Sequence, residues 1–238
     1  MKRFWEVATI EAEADGYSIH LDGRPIRLPG GNVLTLRPER LARAIADEWQ
    51  QAGLAKGGEM SFENTPLTRL AGTAQERIAP NPDPTIDAIA RYGESDLLCY
   101  RAESPQALVD RQAASWQPWL DWIARAHGAP LRVTAGVGYI KQHHDSIDTL
   151  KRIVAAQDAY VLAGLGIAVP ALGSLVLGLA LAQGALDADT AADLGALDEL
   201  FQVELWGEDE EAQRRRGAVR AEIALAGRFM ALSREGGG

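Results

Sequence analysis

The chain has 238 residues, 47% hydrophobic and 24% charged, the proportions of a folded globular protein rather than a disordered one. Against 24 Lys and Arg stand 33 Asp and Glu, and the net charge of −9 argues against nonspecific binding of nucleic acid. A single cysteine, Cys99, excludes an intrachain disulfide and a multi-cysteine zinc site. Lys2 and Arg3 are followed at once by Glu6, Glu11, Glu13 and Asp15, so neither a secretory signal nor an intact transit peptide is expected.

Short runs rich in aromatic and β-branched residues predict strands over Phe4–Ile10, Tyr17–Leu21, Arg24–Leu28 and Val33–Leu36. Asp22-Gly23 is a hairpin signal, because both central residues of a type I′ turn need positive φ. Pro29-Gly30-Gly31-Asn32 marks a second turn. From Pro38 the period changes, with Leu41, Ile45 and Trp49 on one helical face and Gly53 closing the helix. Pro66–Ile78 is a second helix with the stripe Leu67, Leu70, Ala74 and Ile78, broken by the prolines from Pro80 to Pro84. Ile86–Tyr92 starts another, and Asp96–Tyr100 is equally consistent with helix and strand.

The rest reads as helical. Val109, Gln112, Trp116, Leu120 and Ile123 share a face of Pro105–Ala126, and Leu131–Val137 is an extended candidate. Further helices are expected over Asp145–Leu162, Ala171–Gln183, Asp187–Leu205 and Asp209–Leu232, ahead of a frayed tail at Gly236-Gly237-Gly238. The 28 residues between Asp158 and Asp187 carry no charge. Gly164, Gly166 and Pro170 are expected to stop one helix there, and the 13 residues from Ala171 to Gln183 are too few to span a bilayer. A buried helical hairpin is therefore expected, without stable membrane insertion. The fold class is α+β: a small antiparallel β-rich domain at residues 1–60 and a larger, mainly α-helical domain at residues 61–238.

Few residues suggest chemistry. Cys99 sits among Leu97, Leu98 and Tyr100, an apolar setting that blunts a thiol. His143-His144 resembles a metal cluster in composition, but adjacent side chains diverge, and a loop ending in an Asp145 or Ser146 cap is expected instead. Gly164-Leu165-Gly166 begins like a dinucleotide loop but has Val169 where the third glycine belongs. Three of the six tryptophans, Trp116, Trp119 and Trp122, fall within seven residues, read either as core or, for Trp119 and Trp122, as anchors for a partner. Glu208-Asp209-Glu210-Glu211 after Trp206-Gly207 suits the positive end of the last helix, with Glu210–Arg214 and Glu211–Arg215 four apart. The charge left over suits a cationic partner surface.

Several stretches appear together in the order of a known family: Leu21-Asp22-Gly23-Arg24-Pro25-Ile26, Ala44-Ile45-Ala46-Asp47-Glu48-Trp49, Pro66-Leu67-Thr68, Asp96-Leu97-Leu98-Cys99-Tyr100-Arg101-Ala102, Trp119-Leu120-Asp121-Trp122, and Phe201 through Glu211. The chain resembles the ATP synthase assembly chaperones that bind the free α subunit of the catalytic sector, over about residues 3–216. That resemblance implies a small β domain with a helical domain, no enzymatic activity, no cofactor and no nucleotide requirement. It also implies a client, the α subunit before it meets the β subunit, and a bacterial cytoplasmic location, or the mitochondrial matrix for eukaryotic relatives. A holder that releases its client without fuel needs a partly polar contact of moderate strength. Trp119, Trp122, Trp206, Glu208, Asp209, Glu210 and Glu211 are the partner-binding candidates. The competing classes are a small-molecule enzyme using Glu208 or Glu210 with Cys99, and a peripheral membrane protein using Ala159–Ala182.

Overall fold

The computed structural model describes residues 2–136 and 138–234. Val137, at the end of the expected extended run, and the tail Gly236-Gly237-Gly238 lie outside the described residues. The chain forms two compact units: the residues up to Pro82 with Asp158–Ala163 and the stretch from Arg228 on, and Asp83–Gln157 with Gly164–Gly227.

The first unit is built on an antiparallel sheet. Strand β1 (Ala8–Glu13) pairs with β2 (Gly16–Leu21), which also pairs with β3 (Arg24–Pro25) and β4 (Thr35–Leu36). At the β2–β3 turn Asp22 has φ 47° and Gly23 φ 76°, the paired positive values of a type I′ hairpin. Helix α1 (Glu39–Gln51) lies on β1 and β2 and buries Leu41, Ile45 and Trp49. Helix α2 begins at Pro66 and continues through a wider turn to Ile78. Its first N–H groups, on Leu67 and Thr68, donate to the Glu48 carboxylate at 2.7 and 3.1 Å, so α1 caps α2.

The segment before Ala8 departs from the expected strand. Arg3 is buried, and its guanidinium donates to the carbonyls of Trp5, Glu6, Gln50, Ala52 and Leu54. The N–H groups of Glu6 and Val7 donate to the Asp22 carboxylate. Side chains therefore satisfy backbone that a sheet neighbour would otherwise hold. The expected strand Arg24–Leu28 likewise pairs regularly only at Arg24–Pro25 and by a lone bridge from Arg27 to Val33.

In the second unit, α3 (Asp83–Ala90) packs on α5 (His144–Ala155), and α4 (Gln106–His127) packs on α7 (Leu175–Gln183). Helix α3 starts ahead of the expected Ile86, at Asp83. The ambiguous run Asp96–Tyr100 is one tight helical turn, Leu97–Cys99, leading into β5 (Tyr100–Arg101). That strand pairs in parallel with β6 (Thr134–Ala135).

The expected helix Asp145–Leu162 is two. Helix α5 ends at Ala155, and α6 (Ala159–Leu172) starts after Asp158, whose carboxylate accepts the Val161 N–H at 2.8 Å. Helix α6 runs through Gly164 and Gly166 and holds Pro170 in its last turn, so the expected stop lies later, at Gly173. Ser174 then caps α7, which is buried from Leu175 to Ala182 on every side. A Cβ at Gly178 would lie 2.5 Å from Val169 Cγ2, so glycine lets α6 and α7 meet. This is the expected buried hairpin, and among the described residues no helix is long and apolar enough to cross a membrane. The expected helix Asp187–Leu205 also divides, into α8 (Ala188–Gly195) and α9 (Leu197–Trp206), before α10 (Glu210–Ser233).

Candidate partner-binding site

Helix α9 is clamped to α4 by a mixed set of contacts. Arg111 forms a fork with Glu204 at 2.7 and 2.8 Å, and its guanidinium lies 5.0 Å from the centre of the Phe201 ring. The hydrogen bonds from Arg111, helped by its charge, hold the Glu204 carboxyl below its ordinary range. Gln112, buried on α4, donates to Asp198 at 2.7 Å, and Trp116 Nε1 donates to Leu194 O at 3.0 Å. The Arg111 and Gln112 contacts use the face of α9 that carries Leu197 and Phe201, while the Trp116 bond ties α4 to the end of α8.

Past Glu204 the last turn of the helix is exposed among the described residues. Leu205 is 56% exposed and Trp206 78% exposed. Gly207 donates to Val203 O at 2.9 Å and ends the helix, and the acidic run follows immediately. Its four carboxylates have different roles. Glu208 pairs with Arg216 at 2.8 Å. Asp209 accepts the Ala212 N–H at 2.8 Å and caps α10. Glu210 and Glu211 are exposed in the first turn of α10 and have no side-chain partner among the described residues. The expected pairs Glu210–Arg214 and Glu211–Arg215 do not form, because Arg215 turns to Glu199 at 3.2 Å and Arg214 donates only to the Glu210 carbonyl. These two carboxylates therefore stand exposed four and five residues along the chain from the exposed Trp206.

Of the other tryptophan candidates, Trp116 is wholly buried core. Trp119 and Trp122 are half-buried and meet edge to face at 6.2 Å, with His127 against Trp122 at 5.3 Å. They occupy a different place from Trp206. Trp119 lies about 12 Å along α4 beyond Arg111, whereas α9 leaves α4 at the Arg111 end. Trp119 and Trp122 thus meet as one pair, while Trp206 and Glu208–Glu211 are neighbours along the chain, at the end of α9 and the start of α10.

The remaining chemistry candidates are placed as follows. Cys99 is fully buried, and burial first, then the Asp96 charge, pushes its thiol up to about 12, which disfavours the reactive thiolate. His144 pairs with Asp148 at 3.2 Å, and no group of metal-ligating side chains is assembled among the described residues. Neither Asp145 nor Ser146 caps α5: His143 occupies that position without a side-chain bond, and the Ser146 hydroxyl donates to Pro130 O at 2.7 Å. Gly164-Leu165-Gly166 is inside α6, not after a strand, and forms no dinucleotide loop. A cleft of about 320 Å³ lined by Ala192, Gly195, Arg216 and Arg220 has its cations occupied, Arg216 by Glu208 and Arg220 by Asp189 and Asp193.

Exposed apolar residues in the first unit escaped the sequence reading. Leu54 is 94% exposed and Phe62 65% exposed. The signal available for Leu54 was a bulky residue in the glycine-rich loop between Gly53 and Gly58.

Comparison with known proteins gives a consistent result. The family model described as ATP12 chaperone protein matches residues 2–124. The chain is 24% identical over 222 residues to "Protein atp12, mitochondrial" of Schizosaccharomyces pombe, covering 89% of this chain and 75% of that protein. The crystal structure of Atp12 from Paracoccus denitrificans is 42% identical, with a TM-score of 0.92 over 98% of each chain. A structure from Agrobacterium tumefaciens is 36% identical, with a TM-score of 0.88 over 97% of this chain and 85% of that one.

Proposed function

The chain belongs to the ATP12 chaperone family, and from that membership we propose that it is an ATP-independent assembly chaperone of the proton-transporting ATP synthase. In this reading it binds the free α subunit of the catalytic sector and shields the surface that later meets the β subunit. The supporting observation is the exposed Trp206, followed a few residues on by the exposed Glu210 and Glu211, which have no side-chain partner among the described residues. An exposed indole followed along the chain by free carboxylates is the form of contact that holds an apolar, basic protein surface. A subunit of an obligate ring exposes such a surface when alone and aggregates through it. Release follows when the true neighbour buries that surface better, so the chaperone contact is small and partly polar. The proposed compartment is the bacterial cytoplasm.

The test is retention of purified α and β subunits, offered separately, on the immobilised chain. Retention of α and not β is expected, and Trp206→Ala or Glu210→Gln with Glu211→Gln is expected to weaken it at least ~10-fold. No retention of α overturns the client assignment, and undiminished retention by both variants overturns the surface.

A further inference from the structure

We propose that a second, oppositely charged site lies in the first unit: the cleft between the Ile26–Pro29 edge and α2 binds an acidic protein segment carrying a bulky apolar side chain. The cleft measures about 350 Å³, room for one or two side chains rather than a folded surface. Its floor is apolar, formed by Ile26, Leu28 and Trp49, with Phe62 exposed at its edge. Helix α2 lies tight against it, because a Cβ at Gly72 would meet Leu28 Cδ2 at 2.9 Å.

The rim sets the charge. Arg27, Arg69 and Arg77 line the cleft and are exposed. Arg27 donates to the Gly31 carbonyl at 2.8 Å, and among the described residues none of the three has a carboxylate partner. The acid lining the cleft, Glu76, is turned to the Pro29–Asn32 turn, where Gly30 N–H donates to it at 3.1 and 3.2 Å. Arg43, Arg111, Arg216 and Arg220 are paired with carboxylates, whereas here three guanidinium groups free of such pairing converge on one cleft. Three unmatched guanidinium groups around one apolar floor, on a chain of net charge −9, select an anionic ligand with an apolar anchor. The mixture of carboxylate and bulky apolar groups is that of a peptide. This site does not depend on the α-subunit assignment and prefers the opposite charge from the Trp206 patch.

The experiment is fluorescence anisotropy on the full chain with a labelled peptide in which Leu-Phe is flanked by Glu residues. Its controls are a peptide with Lys in place of Glu and one with Ser-Ser in place of Leu-Phe. Binding of the first alone is expected, weakened at least ~10-fold by Arg69→Glu with Arg77→Glu and by ~0.3 M salt. Both arginines are exposed, and circular dichroism confirms folding; the milder Arg69→Gln with Arg77→Gln pair serves if the reversal does not fold. No binding, equal binding of the Lys peptide, or indifference to both variants overturns the proposal. Self-association of the chain in sedimentation that the same variants abolish also overturns it, assigning the cleft to a second copy. Retention of α subunit is measured separately, so failure here is distinct from failure of the assembly reading.

Discussion

The Ser174 hydroxyl donates to the fully buried Asp96 carboxylate at 2.8 Å, across 78 residues of sequence. The same carboxylate accepts the N–H groups of Leu98 and Val176, each at 3.0 Å, and so ties the turn before β5 to the start of α7. Burial nevertheless pushes its pKa up from 3.8 to about 6, because the hydrogen bonds offset only part of the lost hydration.

A pH prediction comes from that displacement. The folded-state value is above the unfolded one, so the native state binds the proton more tightly. The resulting stabilisation is complete below about pH 4 and is lost as pH rises through about 6, a change of about 3 kcal/mol from this group. Asp96→Asn removes the titration and sets an amide nitrogen against the Val176 N–H. It should lower stability at neutral pH and flatten the decline between about pH 4 and 7. Urea unfolding of both proteins at the two pH values measures this, and identical pH slopes would refute it.

The acidic run makes a second prediction, which separates capping from recognition. Asp209→Ala loses the bond to the Ala212 N–H and should cost about 1 kcal/mol. Glu210→Ala and Glu211→Ala remove exposed, unpartnered carboxylates and should change stability by less than about 0.5 kcal/mol. Thermal unfolding distinguishes them, and an equal loss at all three positions would make the whole run structural.

What was legible in the sequence was local. Asp22-Gly23 announced its turn because few residue pairs tolerate two positive φ values, and Leu41, Ile45 and Trp49 announced α1 by spacing. The exposed cap Asp209 could be read from its place before a helix. What escaped depended on partners distant in the chain. Glu6 and Val7 look like strand, yet Asp22 holds their N–H groups. Gly164 and Gly166 look like a stop, yet packing of the apolar α6 overrides their weak helix propensity. Arg215 chose Glu199 on α9 over Glu211 on its own helix. The basic cleft joins Arg27 to Arg69 and Arg77, and only the packing of α2 on the hairpin brings them together.

A buried relay in the first unit supports a third prediction. Trp49 Nε1 donates to Thr68 Oγ1 at 2.8 Å, and that hydroxyl donates to Glu48 Oε2 at 2.8 Å. Burial raises the Glu48 carboxyl, against the hydrogen bonds from Leu67 and Thr68 that lower it. Thr68→Val keeps the shape, strands the indole N–H and removes one donor from Glu48. The expected loss is about 2 kcal/mol in denaturant unfolding. A loss under about 0.5 kcal/mol would show that the relay adds nothing to stability.

Leu54 supplies the last prediction, one of gain. It adopts φ 58°, a left-handed conformation that costs a branched side chain about 1 kcal/mol, while its side chain is 94% exposed and contributes little burial. The backbone is held there from both sides: Leu54 N–H donates to Gln51 O at 3.1 Å, and Leu54 O accepts from Arg3 at 3.3 Å. Asparagine visits this region more readily, because its short polar side chain bonds to nearby backbone. Leu54→Asn should therefore raise stability by about 0.5 to 1 kcal/mol, seen as a higher midpoint with unchanged slope in urea. A lower midpoint would mean that the exposed leucine packs in solution, and that its strained backbone is offset by contact rather than borne without return.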